Sequence, residues 1–281
     1  MTSEIPLVLG GHSFIRQLGN DAMPTPDEQA AIVAGCLDAG IRWFDTTYQP
    51  ERVALGAALK RLGRRDEATI IAWNFFHGFR PGDDHVGPPD YYRPHHLDAM
   101  LGELETDRID MLVVHPLQDP NENARQLDLA CAWRDTRRVK ALGLWAPDEH
   151  CARTYVAANP YTFMVRPCNV LTPEAAPIFA AAKSLHWTTL ACSPFLRGWH
   201  LDKLIATAVA SGLNEAGARE KLADLLLRFS LFQPNVDRLI VSIRKTAWIA
   251  KNAASVQRGP LHADELSWLA KIGASLKVDG S

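Results

Sequence analysis

The feature that most limits the fold is a repeated alternation of short apolar runs and helix-length amphipathic stretches along almost the whole chain. Runs of strand-forming residues lie at 7–9, 41–44, 68–73, 109–114, 141–145, 161–166, 188–192 and 239–243. Helical stretches are expected between them, among others at 26–39, 51–62, 95–105, 123–133, 218–230 and 246–256. The runs are close to continuously apolar, which suits parallel strands covered on both faces. Eight such units in 281 residues predict an α/β fold, a (β/α)8 TIM barrel forming a single domain over residues 1–281. A doubly wound sheet calls for a glycine-rich turn after its first strand, and Gly10-Gly11-His12-Ser13-Phe14 is not GxGxxG.

Such a barrel presents its chemistry at the C-terminal ends of the strands. The stretch Gly40-Ile41-Arg42-Trp43-Phe44-Asp45-Thr46-Thr47-Tyr48 ends an apolar run in an acid and a phenol and passes straight into a helix. Asp45 is a candidate general base, the plainer reading being a helix-capping carboxylate. His115 follows the fourth strand and His12 the first, so both are expected near the same mouth. The segment at about 74–94, rich in Gly, Pro and aromatic residues, has the composition of a long active-site loop. Within or beside it, His77, Phe76 and Tyr91 are candidates for substrate contact, as is Trp145 at the end of the fifth strand. His77, His85, His95 and His96 show no helix-facing ligand spacing, so no metal site is expected.

Composition narrows the partners. A net charge of −2 gives no reason to expect nucleic acid or an anionic membrane. No apolar stretch approaches the roughly 20 residues that cross a bilayer, and the first residues lack the pattern of a secretory leader. The five cysteines form no CxxC pair, which fits reduced thiols in a cytoplasmic protein. A small-molecule substrate is therefore expected. No heptad or repeat demands assembly, and the oligomeric state is left open.

Six segments in order resemble the aldo-keto reductase superfamily. These are Asp38–Thr46 (DAGIRWFDT), Leu55–Leu59 (LGAAL), Leu104–His115 (LETDRIDMLVVH), Arg138–Gly143 (RVKALG), Ala191–Gly198 (ACSPFLRG) and Arg244–Asn252. The resemblance implies a barrel whose catalytic tetrad is aspartate, tyrosine, lysine and histidine. Asp45 and His115 match two members. Tyr48 comes three residues after the aspartate, where the family places its tyrosine about five after. Trp73 and Asn74 align with the family's threonine and lysine, so the ammonium is missing. The nicotinamide contacts are also replaced: Trp145-Ala146 stand for Ser-Asn, Met164-Val165 for Asn-Gln, and Cys192 for an aromatic residue. Ser242, Trp248 and Lys251 likewise depart from the family's adenosine-phosphate segment.

These departures predict an enzyme without a cofactor, using Asp45, Tyr48 and His115, with His12 and Asn74, for proton transfer beside a carbonyl in a dehydratase, lyase or isomerase reaction. The alternative is an NADPH-dependent reductase of an aldehyde or ketone, with Arg244, Asn252 and Ser193 on the cofactor. A third reading is a non-catalytic binding protein on the same scaffold.

Overall fold

The computed structural model describes residues 4–16, 22–76, 89–117, 119–146, 160–172, 175–196 and 200–276. Eight parallel strands close into a barrel in sequence order: β1 (Leu7–Leu9), β2 (Trp43–Thr46), β3 (Thr69–Ala72), β4 (Ile109–Val114), β5 (Val139–Trp145), β6 (Phe163–Pro167), β7 (Thr188–Cys192) and β8 (Arg238–Val241). The seam is the β1·β8 pairing, with Leu7 opposite Leu239 and Leu9 opposite Val241. Around the barrel, among the described residues, run α1 (Pro26–Ala39), α2 (Gln49–Leu62), α3 (His96–Glu103), α4 (Pro120–Asp135), α5 (Ala175–Ser184), α6 (Leu201–Ala210), α7 (Glu215–Leu231), α8 (Thr246–Gln257) and α9 (Ala263–Ala274). No helix among the described residues is long and apolar enough to cross a membrane.

The strands read as continuous apolar runs because both faces are covered. Val8, Ile71, Val113, Phe163, Val165, Leu190 and Ile240 fill the barrel interior. Their neighbours Leu7, Leu9, Ile70, Leu112, Met164 and Leu239 pack outward on the helices. At about 1.5–3 kcal/mol for each large apolar side chain, this double burial is the main favourable term.

Local signals fix the unit that carries the site. Thr25 caps α1, and Glu28 returns a bond to its backbone N–H. Gly40 ends the helix with φ at 91°, a left-handed conformation that glycine adopts without strain. Ile41 N–H still bonds to Cys36 O. The second strand therefore begins at Trp43 rather than at the expected position 41, and it extends to Thr46. Asp45 lies inside the strand, opposite Ile71 of β3. The eighth strand is likewise shorter than expected, because Ile243 N–H bonds to Ser13 Oγ at 2.8 Å rather than to a neighbouring strand.

Gly143 on β5 faces Phe163 on β6, and the ring occupies the space a side chain would need. A Cβ there would stand 2.1 Å from Phe163 Cε2. Gly143→Ala should cost about 1–3 kcal/mol by overpacking. A urea midpoint equal to that of the parent would refute this, and Phe163→Leu in the same chain should restore most of the loss.

Candidate functional site

Asp45 points into the C-terminal mouth of the barrel and is 5% exposed. Trp73, just past β3, donates its indole N–H to Asp45 Oδ1 at 2.5 Å. Gly11 donates a backbone N–H to the same carboxyl. Burial pushes the Asp45 carboxyl up to about 7, and the nearby Glu51 carboxylate adds to this, against the pull of the Trp73 bond and His12.

A connected set of rings surrounds the acid. Trp73 meets Trp145 at 5.1 Å between centroids, and His115 stacks on Trp145 at 5.5 Å. Phe75 touches His115 and Tyr48, and Tyr48 stacks on His12 at 5.9 Å. Burial pulls the His115 imidazole down to about 3, so it is neutral across the physiological range. Five of the expected residues, His12, Asp45, Tyr48, His115 and Trp145, thus meet in one aromatic-walled mouth.

Others go elsewhere. Asn74 turns out of the barrel. Its amide donates to Asp90 O at 2.7 Å and to Gln126 Oε1 at 3.4 Å, which pins the two ends of the long loop together. Strand alternation explains the difference: Ile71 faces inward, so Trp73 does too, and Trp73 rather than Asn74 takes the partner's place at Asp45. Phe76 also packs outward, stacked on His96 at 3.6 Å. Tyr91 is 46% exposed, while its neighbour Tyr92 is buried and donates to Val113 O. His77 and His85 lie outside the described residues.

Two buried charges were not singled out from the sequence. Glu51, fully buried at the start of α2, accepts from Thr47 N–H at 2.6 Å and lies 2.7 Å from His12 Nδ1. Arg52, also fully buried, donates to Glu103 and to the carbonyls of Thr47, Trp73 and Phe75. Both read as ordinary helix-face charges in a linear sequence. The signal that could have found them is their place one turn after a catalytic-face strand.

At the far end of the barrel a cavity of about 360 Å³ is lined by Glu4, Trp43, Lys183, Asp237 and Arg238, among others. There Lys183 pairs with Asp237, and Arg238 pairs with Glu4 and covers the Trp43 ring. That face carries strand starts and serves stability.

The sequence pattern of the Aldo/keto reductase family matches residues 6–144, from β1 to nearly the end of β5. This first half of the chain belongs to the aldo-keto reductase family. A putative aldo-keto reductase from Pseudomonas aeruginosa superposes with a TM-score of 0.65 at 21% identity, over 90% of this chain and 89% of that one. An aldo-keto reductase from Klebsiella pneumoniae, in complex with NADPH, gives 0.67 at 16% identity, over 96% and 91%. A glycerol dehydrogenase from Gluconobacter oxydans gives 0.68 at 17%, over 95% and 90%. No curated protein matches the chain significantly.

In this aldo-keto reductase barrel the residues suit one end of a nicotinamide dinucleotide better than the other. Arg244 and Lys245 precede α8, whose first turn holds no acidic residue and no side-chain cap. Cations beside such a helix start suit a phosphate. Asn252 is half-buried on the same helix. At the ring end, Trp145 is buried against Trp73 and His115, and Cys192 and Val165 face the interior while Met164 packs outward. Ser193 closes β7 with φ at 59°, its carbonyl accepting from the Asn169 amide at 3.1 Å. The start of α8 thus has the chemistry to hold a phosphate, and the ends of β5 to β7 form an apolar wall.

Proposed function

We propose that the protein is an NADP(H)-linked oxidoreductase that interconverts a small carbonyl compound and its alcohol, with Asp45 as the acid/base group. The observation that carries this reading is the Asp45 carboxyl itself, buried in the mouth of the barrel and bonded to the Trp73 indole, where burial pushes it up to about 7. An acid of that strength is matched to proton transfer at neutral pH. When bound, a nicotinamide dinucleotide would supply the hydride. Asp45 in its protonated form gives its proton to the carbonyl oxygen, and as carboxylate it takes one from the alcohol in reverse. Trp73 holds the carboxyl in place. Neutral His115 presents a ring nitrogen that can bond to the same oxygen, and the aromatic wall excludes water. Arg244, Lys245 and Asn252 would hold the phosphate end of the dinucleotide, beside Ser193.

The relatives favour this reading over the cofactor-free dehydratase, lyase or isomerase expected from the sequence. That expectation rested on the missing lysine. Burial answers it by a different route: with no lysine ammonium beside it, the desolvated aspartate keeps its proton near neutrality and can itself be the donor.

The test is a titration with NADPH, and with NADH alongside, followed by tryptophan emission, then a panel of aldehydes and ketones. A dissociation constant in the low micromolar range for NADPH, about 8 kcal/mol, is expected. Asp45→Asn should lower turnover by about 10²–10⁴-fold and leave NADPH binding intact. Reduction by the parent should decline as pH rises through about 7, where Asp45 loses its proton. Absence of binding at millimolar NADPH would sink the proposal.

A further inference from the structure

The imidazole of His115 enters the mouth from a point where β4 has already ended: Val114, paired with Leu144, is the last residue of the strand. The His115 carbonyl is held instead from outside the barrel. Gln126 of α4 is buried and donates its amide to that carbonyl at 2.6 Å. One turn earlier on the same helix face, Asn123 accepts from Leu117 N–H at 3.0 Å. The helix thus fixes the chain on both sides of Pro116, and with it the direction of the imidazole. The other half of the Gln126 amide reaches the exit of β3. Its Oε1 accepts from Tyr92 N–H and from the Asn74 amide, both at 3.4 Å. Asn74 is fully buried and joined to Asp90 by two bonds of 2.7 Å, one from its amide to Asp90 O and one from Asp90 N–H to its own carbonyl. The Asn74 Oδ1 has no hydrogen-bond partner. Turning that amide over would only set its oxygen against those of Asp90 and Gln126, and Gln126 cannot turn because His115 O takes only a donor. A buried amide oxygen left unbonded costs about 1–3 kcal/mol, so the orientation is imposed by what the two amides join. They join the exits of β3 and β4, where Trp73 and His115 turn inward with ring centroids 5.9 Å apart.

We propose that Gln126 is a positioning residue of the site: through the His115 carbonyl and the Asn74 amide it fixes the separation of the His115 imidazole from the Trp73 indole. Because Trp73 holds Asp45, that separation sets how the acid and the imidazole meet one substrate oxygen. Gln126 touches no reacting atom and acts only through the two residues it joins. The proposal rests on the oxidoreductase reading for the role of His115, but its first test needs neither substrate nor cofactor.

The ring of His115 lies 5.5 Å from those of Trp145 and Phe75 and 5.9 Å from that of Trp73, so ring currents displace its carbon-bound proton signals in the full-length protein. His115→Phe identifies these signals by their loss. Trp73 and Trp145, 5.1 Å apart, form an exciton pair in circular dichroism that Trp73→Phe removes. Gln126→Met keeps the length of the side chain and loses both donor and acceptor. Its His115 signals should move towards ordinary histidine positions and its exciton couplet should weaken. Gln126→Glu supplies the rescue: at about pH 5 a buried glutamic acid keeps its proton and donates to His115 O, so this variant should match the parent at the same pH while Gln126→Met does not. With NADPH and an accepted carbonyl, Gln126→Met should lose about tenfold or more in kcat with NADPH affinity unchanged, since a misplacement of about 1 Å can cost about 10²-fold. Parent-like His115 signals in Gln126→Met, even with a lowered urea midpoint, overturn the proposal, as does a Gln126→Glu that stays displaced at about pH 5. Asn74→Leu leaves the Gln126–His115 bond in place and should weaken the couplet, and an unaltered couplet there overturns the tie to Trp73 should Gln126→Met not fold. A failed carbonyl panel alongside the expected spectra would instead remove the oxidoreductase reading and leave the Gln126 brace standing.

Discussion

Arg52→Met is expected to remove about 3–5 kcal/mol of stability, a large share of what a domain of this kind possesses. The guanidinium is fully buried. Its Nε donates to Glu103 at 2.5 Å, Nη1 to Thr47 O at 3.1 Å, and Nη2 to Phe75 O at 3.1 Å, with the Phe76 ring 5.1 Å from its centre. Methionine fills similar length but leaves a carboxylate and buried carbonyls without donors, and each unsatisfied group costs about 1–3 kcal/mol. Arg52→Lys should recover less than half, because an ammonium cannot reproduce the planar fork that spans three chain segments. Urea unfolding of the three proteins is the measurement. A loss below about 1 kcal/mol in Arg52→Met would show that the brace is dispensable. The damage should also reach the site, since Arg52 binds the carbonyl of Trp73 and so fixes the indole that holds Asp45.

The second large effect is a pair of opposed pH dependences hidden in the parent. Asp45 has a folded-state value of about 7 against 3.8 for the free side chain. The folded protein therefore holds this proton more tightly than the unfolded chain. The stability it contributes is complete below about pH 4 and is lost as pH rises to about 7. His115 behaves oppositely, at about 3 against 6.5. Its contribution is complete above about pH 6.5 and is lost as pH falls to about 3. Each span of about 3 pH units corresponds to roughly 4 kcal/mol. Between about pH 4 and 6.5 the two slopes cancel. Asp45→Asn should therefore make the protein more sensitive to acid, and His115→Phe should make it more sensitive to base. Urea midpoints at pH 4, 5.5 and 7 for parent and variants would test this. Parallel curves for all three would rule it out.

Much of the architecture can be read along the chain, because the strands are buried on two sides and announce themselves as unbroken apolar runs. The caps are equally local: Thr25 with Glu28 starts α1, and Gly40 stops it. Strand edges are harder, since whether Ile41 pairs with a strand or closes the preceding helix is decided by which acceptor its N–H finds. The site divides along the same line. Asp45, His115 and His12 are placed by strand ends and were accessible to reading. Trp73 was not: aligning it with a family motif assigned the critical position to Asn74, while the two-residue period of the strand turns the indole inward and the amide outward. Glu51 and Arg52 were hidden for another reason. Their partners lie 39 and 51 residues away in sequence, and nothing in a helix start says that its charges are desolvated.

The β1·β8 seam sets the order in which this chain can mature on a ribosome. Gly10 N–H bonds to Val241 O, and Ser13 Oγ to Ile243 N–H across a sequence separation of 230 residues. Until those late residues emerge, β1 has one hydrogen-bonding edge open, and the growing sheet displays another on its newest strand. The first five strands, which carry the family's sequence pattern, are thus a half-barrel with two sticky edges rather than a folding unit. Productive folding has to wait for nearly the whole chain, so protection of these edges during synthesis, more than the final stability, should govern how much active protein a cell obtains.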